Sequence, residues 1–207
     1  MVPLLLTAAY HSKTDIPAQL AAARNGRAHM REPMANVTVS DVTVADTLGP
    51  DPLLLTALER RLAEAGVALD AASRAQTSVV LAAAGSSDAA ASATIARLAG
   101  AWARERGWRT VVPAYASAAG PRPEDAVAGL RDSLGGSAGP VVVATYLLAP
   151  GYFADKIRAS ALAAGADAVS AVLGAAPEVA EVVLRRYEGS LGSGFAPGCV
   201  ERFVARA

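Results

Sequence analysis

The sequence predicts an α/β protein in which open parallel sheets carry helices on both faces, the flavodoxin-like arrangement. The apolar runs are short and continuous rather than alternating, as expected of strands that are buried on both faces. Helical patterns that begin at Asp, Ser or Pro and end at Gly lie between these runs. From Thr77 onward the two kinds of segment alternate, which indicates right-handed β-α-β units in a doubly wound sheet.

Five of the apolar runs are predicted to be buried parallel strands. They are Val2–Ala8, Thr77–Gly85, Thr110–Ser117, Gly139–Ala149 and Ala166–Gly174. A sixth run, Asn36–Val44, is rich in β-branched residues, so we interpret it as an edge strand or as a continuation of the sheet.

Four helical patterns have boundary signals at both ends. The first begins with Asp51 and Pro52, an N-cap residue followed by the residue best suited to a first helical position. The predicted helices are Asp51–Gly66, Ser86–Gly107, Arg122–Gly136 and Pro177–Gly189.

The chain contains an internal repeat. Leu48–Leu62 matches Leu173–Tyr187 at a Leu-Gly pair, at a proline and at an Arg-Arg pair. Ahead of these segments, Leu4–Ile16 matches Thr145–Ile157. Because both matches occur in the same order along the chain, they indicate a duplication rather than a chance likeness.

The duplication predicts two lobes, residues 1–74 and residues 75–207. The second lobe holds a complete set of strands and helices, whereas the first corresponds only to the last two strand positions of the second. We therefore expect half of the first lobe to be missing. Strand edges that the missing half would cover favour self-association, with a second copy completing the sheet.

The composition excludes several classes of protein. The chain has 19 basic and 19 acidic residues, which argues against a nucleic-acid or a general membrane surface. Cys199 is the single cysteine, so no disulfide framework and no multi-cysteine metal motif can form. No apolar run is long enough to span a membrane, and the N-terminal run lacks the basic region of a signal peptide. We expect a soluble, cytoplasmic protein.

One of the two histidines follows the first predicted strand. His11 lies in a polar turn, AYHSKTDIP, where it is either an ordinary loop residue or a ligand or base at the mouth of the sheet. The other, His29, lies in a polar stretch with Gly and Pro and is interpreted as a surface loop residue.

This turn resembles that of the sirohydrochlorin cobalto-/ferrochelatase family, which reads Gly-His-Val-(Lys/Arg)-x-Asp-Ile-Pro. His11, Lys13 and the run Asp15–Pro17 stand at the corresponding positions. The likeness spans nearly the whole chain, but the second copy has its ligand positions replaced. Ala84 stands where the family has a histidine before Gly-Ser, Ser117 lies near the position of a glutamate, and Phe153 replaces the second histidine.

The resemblance implies chelatase-like lobes and an enzyme that inserts Co²⁺ or Fe²⁺ into a sirohydrochlorin-type tetrapyrrole. Such an enzyme is a lyase that forms nitrogen–metal bonds in cobalamin or sirohaem biosynthesis; the metal is its substrate and no nucleotide is needed. On this resemblance His11 is the metal ligand and proton acceptor, while Ser12 and Lys13 receive substrate carboxylates. Imidazole suits both metals and titrates in the range that proton acceptance needs.

Two other functions remain open from the sequence. The first is a non-catalytic chelatase-like protein that binds a metal, a tetrapyrrole or a protein partner. The second is an unrelated flavodoxin-like nucleotide-binding domain. Its candidate phosphate turn, AAAGSSDAAA over residues 82–91, is neither a GxGxxG nor a Walker A sequence.

Several further residues have a structural interpretation. Asp15 fits a helix N-cap before Ile-Pro. Trp102 and Trp108 fit packing positions near a helix end. The pairs Arg60–Arg61 and Arg185–Arg186 fit the solvated last turns of two helices, where cations complement the helix dipole.

Overall fold

A computed structural model describes residues 1–24, 42–134 and 139–191. Its centre is a four-stranded parallel sheet in the order β2-β1-β3-β4. The sheet confirms the predicted α/β fold, and four of the five predicted strands form it. The strands are β1 (Ser78–Ala83), β2 (Thr110–Tyr115), β3 (Val141–Tyr146) and β4 (Ala168–Val169).

Seven α-helices occur in the described residues. Asp51 and Asp88 cap two of them by accepting hydrogen bonds from backbone N–H groups two residues on, at 3.0 and 2.8 Å. The helices are α1 (Ile16–Arg24), α2 (Pro52–Glu64), α3 (Ala71–Gln76), α4 (Ala89–Arg106), α5 (Pro123–Leu134), α6 (Tyr152–Ala163) and α7 (Pro177–Ser190). No helix in these described stretches is both long and apolar enough to cross a bilayer.

The two faces of the sheet are covered by different helices. Along β1, alternate residues point to opposite faces: Val79 and Leu81 join one core cluster, while Val80 and Ala82 join the other. Helices α2, α4 and α7 cover the first face, and α5 and α6 cover the second. Trp102 and Trp108, which the sequence predicted to be packing residues, are both buried on the first face.

The prediction of a strand over Val2–Ala8 is wrong. This segment forms no strand, since Pro3 lacks an N–H group and the N–H of Leu5 bonds back to the carbonyl of Pro3. Leu4 is 63% exposed rather than buried. Of the sixth predicted run, residues 36–41 lie outside the described residues, and 42–44 are not in a strand.

The segment nevertheless repeats the pairing of β3 with the chain that follows it. The N–H groups of Ala45 and Leu48 donate to the carbonyls of Met1 and Leu5 at 2.9 and 2.8 Å. In the second half of the chain, Ser170 donates to Val143 and Leu173 donates to Leu147, at the same two distances. In the sequence repeat, Leu48 aligns with Leu173. The donors agree with the sequence repeat, whereas the acceptors are shifted by one residue, because the repeat aligns Leu5 with Tyr146 and the equivalent acceptor is Leu147.

Helices α2 and α7 pack together and exchange equivalent contacts through the repeated arginines. Arg61 on α2 donates to the carbonyl of Leu173, which precedes α7, at 2.8 and 3.1 Å. Arg186 on α7 donates to the carbonyls of Thr47 and Leu48, which precede α2, at 2.8 and 3.0 Å. The solvated-face interpretation is therefore wrong for these two arginines, because each is drawn to the loop of the other repeat.

Replacing one of these arginines separates its role from that of its neighbour. In Arg186→Ala the two loop carbonyls and Asp51, which lies 3.3 Å from the guanidinium, lose a charged donor. We expect the free energy of unfolding to fall by about 2 kcal/mol. Urea denaturation measures it, with Arg185→Ala as the matched control. Arg185 is paired with Glu181 at the exposed surface, so its loss is expected to cost less than about 0.5 kcal/mol. Equal losses of unfolding free energy in the two variants would show that the hydrogen bonds of Arg186 to the loop do not stabilise the fold.

Two residues interpreted from the sequence, His29 and Cys199, lie outside the described residues. The division into lobes of residues 1–74 and 75–207 stays a prediction. In the described residues α2 shares one hydrophobic core with the sheet of the second half, through Leu54 and Leu58.

Candidate metal site

A cleft of about 540 Å³ opens at the carboxyl end of the sheet. One wall is the N-terminal segment, residues 4–12, and the opposite wall is the turn after β1 together with the first turns of α4. Ligand sites of open parallel sheets lie at this end of the strands. Its apolar lining includes Leu4, Leu5, Leu6, Ile95 and Leu148; its polar lining includes His11, Ser12, Ser86, Ser87, Tyr115 and Tyr146.

The turn after β1 is shaped by a close backbone approach. Gly85 has φ +90°, and a Cβ atom there would lie 1.9 Å from the carbonyl oxygen of Ser117, so only glycine fits. The Ser117 N–H and hydroxyl both donate to the carbonyl of Ala84 at 2.9 Å. Ala84 and Ser117 are two of the three positions at which the resemblance implies a replaced ligand in the second copy. The structure brings them into contact, but neither side chain is a good metal ligand.

Two tyrosines form the deep part of the cleft. Burial raises the pKa of Tyr146 well above its ordinary value, and the charge of Asp51 adds to that shift. Burial also raises the pKa of Tyr115, whose hydroxyl donates to the carbonyl of Ser92 at 2.9 Å. Both phenols are therefore neutral at physiological pH and act as hydrogen-bond donors and apolar surface rather than as anions.

His11 stands at the rim of this cleft in a helical turn. The turn is π-helical over His11–Asp15 and continues directly into α1. The side chain of His11 is 74% exposed, and its Nδ1 lies 2.7 Å from a carboxylate oxygen of Asp15. Because an ionised carboxylate only accepts, Nδ1 carries the proton and the lone pair of neutral His11 is on Nε2.

The helix-cap interpretation of Asp15 is therefore wrong. The helical run begins before Asp15, so its carboxylate contacts the side chain one turn earlier instead of capping a helix end. The spacing of four residues between His11 and Asp15 is the signal that sequence reasoning passed over, since residues i and i+4 meet on a helix. In metal sites, a carboxylate on the second ring nitrogen fixes the ring and raises the basicity of the ligating nitrogen.

Lys13 extends across to the opposite wall. Its ammonium group pairs with the carboxylate of Asp88 at 2.7 Å, and that carboxylate also caps α4. The hydrogen bond from Lys13 is the main cause that holds the pKa of Asp88 below its ordinary value. Sequence reasoning did not identify Asp88 as a partner, because 75 residues separate it from Lys13.

The structure thus brings two of the predicted site residues to the cleft. His11 and Ser12 line it, and the Ser12 hydroxyl donates to the carbonyl of Ala9 at 3.0 Å. Lys13 does not line the cleft but lies within the ion pair at its edge. Among residues 1–24, 42–134 and 139–191, no group of three or more His, Cys, Asp or Glu side chains could hold a metal ion. The assignment of His11, Ser12 and Lys13 to a functional site stays a prediction.

Comparison with solved structures places this fold among the chelatase-like α/β proteins. SirB from Bacillus subtilis with Fe³⁺ superposes with a TM-score of 0.72 at 24% identity, over 92% of this chain and 70% of that one. The sirohydrochlorin chelatase SirB from Bacillus subtilis subspecies spizizenii, in complex with cobalt, gives 0.64 at 21% identity, over 93% and 69%. A multi-domain protein of Deinococcus radiodurans that resembles chelatases gives 0.59 at 22% identity, over 89% and 40%.

The sequence itself matches one family model. The CbiX model covers residues 1–65 and 78–190, which is most of the chain. The chain belongs to the CbiX family. No curated protein matches the sequence.

Proposed function

We propose that this protein is a chelatase that inserts Co²⁺ or Fe²⁺ into a sirohydrochlorin-type tetrapyrrole, as a step of cobalamin or sirohaem biosynthesis in the cytoplasm. The observation that carries the proposal is the pairing of His11 with Asp15 at the rim of the cleft. Membership of the CbiX family supports it, and so do the iron and cobalt found in the SirB structures that share this fold.

His11 is the metal ligand in this proposal. Its Nδ1 is held by Asp15, so Nε2 is available to bind the metal from the cleft side. Imidazole nitrogen binds both Fe²⁺ and Co²⁺, and one protein nitrogen holds either ion weakly enough to give it up to four ring nitrogens. Ser12, the next residue, offers its hydroxyl oxygen to the same side of the cleft.

The reaction also releases two protons from the pyrrole nitrogens. When the metal passes to the ring nitrogens, the lone pair of His11 Nε2 is free again and accepts one of these protons. The second passes to water. Asp15 stabilises the imidazolium that forms, because its carboxylate is already hydrogen-bonded to Nδ1.

The cleft suits an amphipathic macrocycle with peripheral carboxylates. Leu4, Leu148 and Ile95 offer apolar surface for the ring plane, while the hydroxyls of Ser86 and Ser87 lie beside the N-terminus of α4, which favours anions. Lys13 is paired with Asp88 at this edge. A substrate carboxylate would compete with Asp88 for it.

A second candidate function rests on the ligand count. The described residues hold no cluster of three metal-ligating side chains. A site with His11 alone favours a chelatase-like protein that binds a tetrapyrrole or a metal without catalysing insertion.

Metal insertion by the wild-type protein distinguishes the two functions. The protein is incubated without oxygen with sirohydrochlorin and Co²⁺ or Fe²⁺, and the absorption spectrum of the tetrapyrrole is followed. The chelatase proposal expects an initial rate at least about tenfold above the protein-free control, since positioning of metal and ring removes much of the barrier. A rate equal to the control, with the tetrapyrrole nevertheless bound, would establish the non-catalytic function instead.

A further inference from the structure

An ion pair joins the two walls of the cleft at one edge. Lys13 directly follows Ser12, which lines one wall, and Asp88 directly follows Ser87, which lines the other. The ammonium group of Lys13 lies 2.7 Å from the Oδ2 atom of Asp88. The pair therefore stands at the rim beside both walls, although neither residue belongs to the lining itself.

The lining offers a carboxylate ligand neutral donors rather than lysine or arginine. Among the described residues that line the cleft, none is a lysine, an arginine, an aspartate or a glutamate. The hydroxyl of Ser86 accepts from the N–H of Asp88 at 3.0 Å, so its own O–H can donate to a ligand. A charged donor binds a carboxylate about twice as strongly as a neutral one does. At this edge the charged donor is Lys13, and Asp88 already holds it.

The two carboxylate oxygens of Asp88 have separate contacts. Oδ1 accepts from the backbone N–H of Ala90 at 2.8 Å and caps α4, while Oδ2 accepts from Lys13. The cap therefore does not depend on the ion pair. The side chain of Lys13 is 51% exposed and that of Asp88 is 26% exposed. Because ion pairs this exposed contribute little stability in water, a ligand carboxylate can displace Asp88 from Lys13.

We propose that Asp88 is an internal competitor of the tetrapyrrole. Its carboxylate holds Lys13 in the free protein, yields Lys13 to a peripheral ring carboxylate when the ligand binds, and takes it back when the ligand leaves. The inference rests on the proposed function, since it takes a tetrapyrrole with peripheral carboxylates as the ligand of the cleft. Asp88 acts through Lys13 and touches no reacting atom.

Such a competitor suits a reaction whose product keeps the peripheral groups of its substrate. Metal insertion changes the centre of the ring and leaves the carboxylates at its edge unchanged. A contact with such a carboxylate therefore holds the product as firmly as the substrate and adds nothing to the rate of the chemical step. Because Lys13 exchanges one carboxylate for another, release of the product does not leave its ammonium group unpaired.

Asp88→Asn separates the competitor from the helix cap. The asparagine oxygen can accept from Ala90 as Oδ1 does, whereas an amide nitrogen in place of Oδ2 no longer attracts Lys13. The probe is uroporphyrin I, a metal-free octacarboxylate tetrapyrrole, and absorption titration without metal measures its dissociation constant. We expect Asp88→Asn to bind it about three- to fivefold more tightly than the wild type, the effect of releasing one exposed ion pair.

Asp70→Asn is the matched control for the lost charge. Asp70 also caps a helix with its side chain, but that helix is α3, which precedes the amino end of β1, and Asp70 does not line the cleft. Its dissociation constant is expected to stay at the wild-type value. Asp88→Ser, which keeps a good capping residue, replaces Asp88→Asn if that variant does not fold by circular dichroism.

The same substitution in a Lys13→Gln background distinguishes competition from a general charge effect. Removal of a negative charge near a polyanion tightens binding whether or not Lys13 is present. If Asp88 competes for Lys13, Asp88→Asn changes the dissociation constant less than about 1.5-fold in the Lys13→Gln protein. Equal tightening in both backgrounds, no tightening beyond that of Asp70→Asn, or no binding of uroporphyrin I by any variant would overturn the inference.

These results are distinguishable from a failure of the chelatase proposal. Uroporphyrin I that binds equally to the wild type and to Asp88→Asn removes the competitor and leaves the insertion assay unaffected. The expected set of dissociation constants, together with no insertion of Co²⁺ into sirohydrochlorin, supports the competitor in a protein that binds tetrapyrrole without catalysis.

Discussion

His11→Ala is expected to lower the rate of metal insertion to that of the protein-free reaction. The substitution removes the nitrogen that binds the metal and accepts the departing proton, and no other histidine lies in the described residues. His29→Ala is the matched control because His29 is the only other histidine of the sequence, and its rate is expected to stay at the wild-type value. The absorption change of sirohydrochlorin in the presence of Co²⁺ measures the insertion rates of the wild type and of the two variants.

Asp15→Asn tests whether the carboxylate of Asp15 supports His11 as a metal ligand or only shapes the turn. The amide keeps the volume of the carboxylate but offers the ring a weaker acceptor. We expect Co²⁺ affinity to fall about 10- to 100-fold, as for other acceptors behind ligating histidines. The visible absorption of Co²⁺ in the absence of tetrapyrrole measures that affinity. A His11→Ala variant that inserts metal at the wild-type rate would remove His11 from the mechanism, whatever the result with Asp15→Asn.

Much of the fold could be predicted because local signals and buried strands agree in the second half of the chain. β1 is continuous, apolar and covered on both faces, and Asp51 and Asp88 cap the helices that their sequence positions indicate. The segment Met1–Leu6 has the same apolar character, but within the described stretches its backbone pairs along one side with residues 43–48, and Pro3 interrupts its bonding. Apolar composition predicts a strand, whereas the partner that makes it one depends on tertiary structure.

The site was predictable in part for a similar reason. The sequence places His11 at the end of a strand-like segment, and the structure puts it at the rim of the cleft. The contacts that His11 and Lys13 make with other side chains were harder to predict. The partner of His11 depends on the turn being helical through Asp15, and the partner of Lys13 lies 75 residues away. The repeated arginines show the same limit, since helix-end charges are usually solvated but Arg61 and Arg186 reach the carbonyls of the other repeat.

Leu58→Ala is expected to cost about 2 to 5 kcal/mol of unfolding free energy. Leu58 lies on α2, is fully buried, and belongs to the core cluster that also holds Val79 and Trp102 of the second half. Its truncation leaves a cavity between the two repeats. Urea denaturation at one fixed protein concentration measures the cost, with the slope of the transition unchanged. The control Leu162→Ala removes an exposed leucine of α6 and is expected to cost less than about 1 kcal/mol. Equal and small losses would mean that α2 is not part of the core that stabilises the sheet, and that the first repeat is attached to the second without sharing its stability.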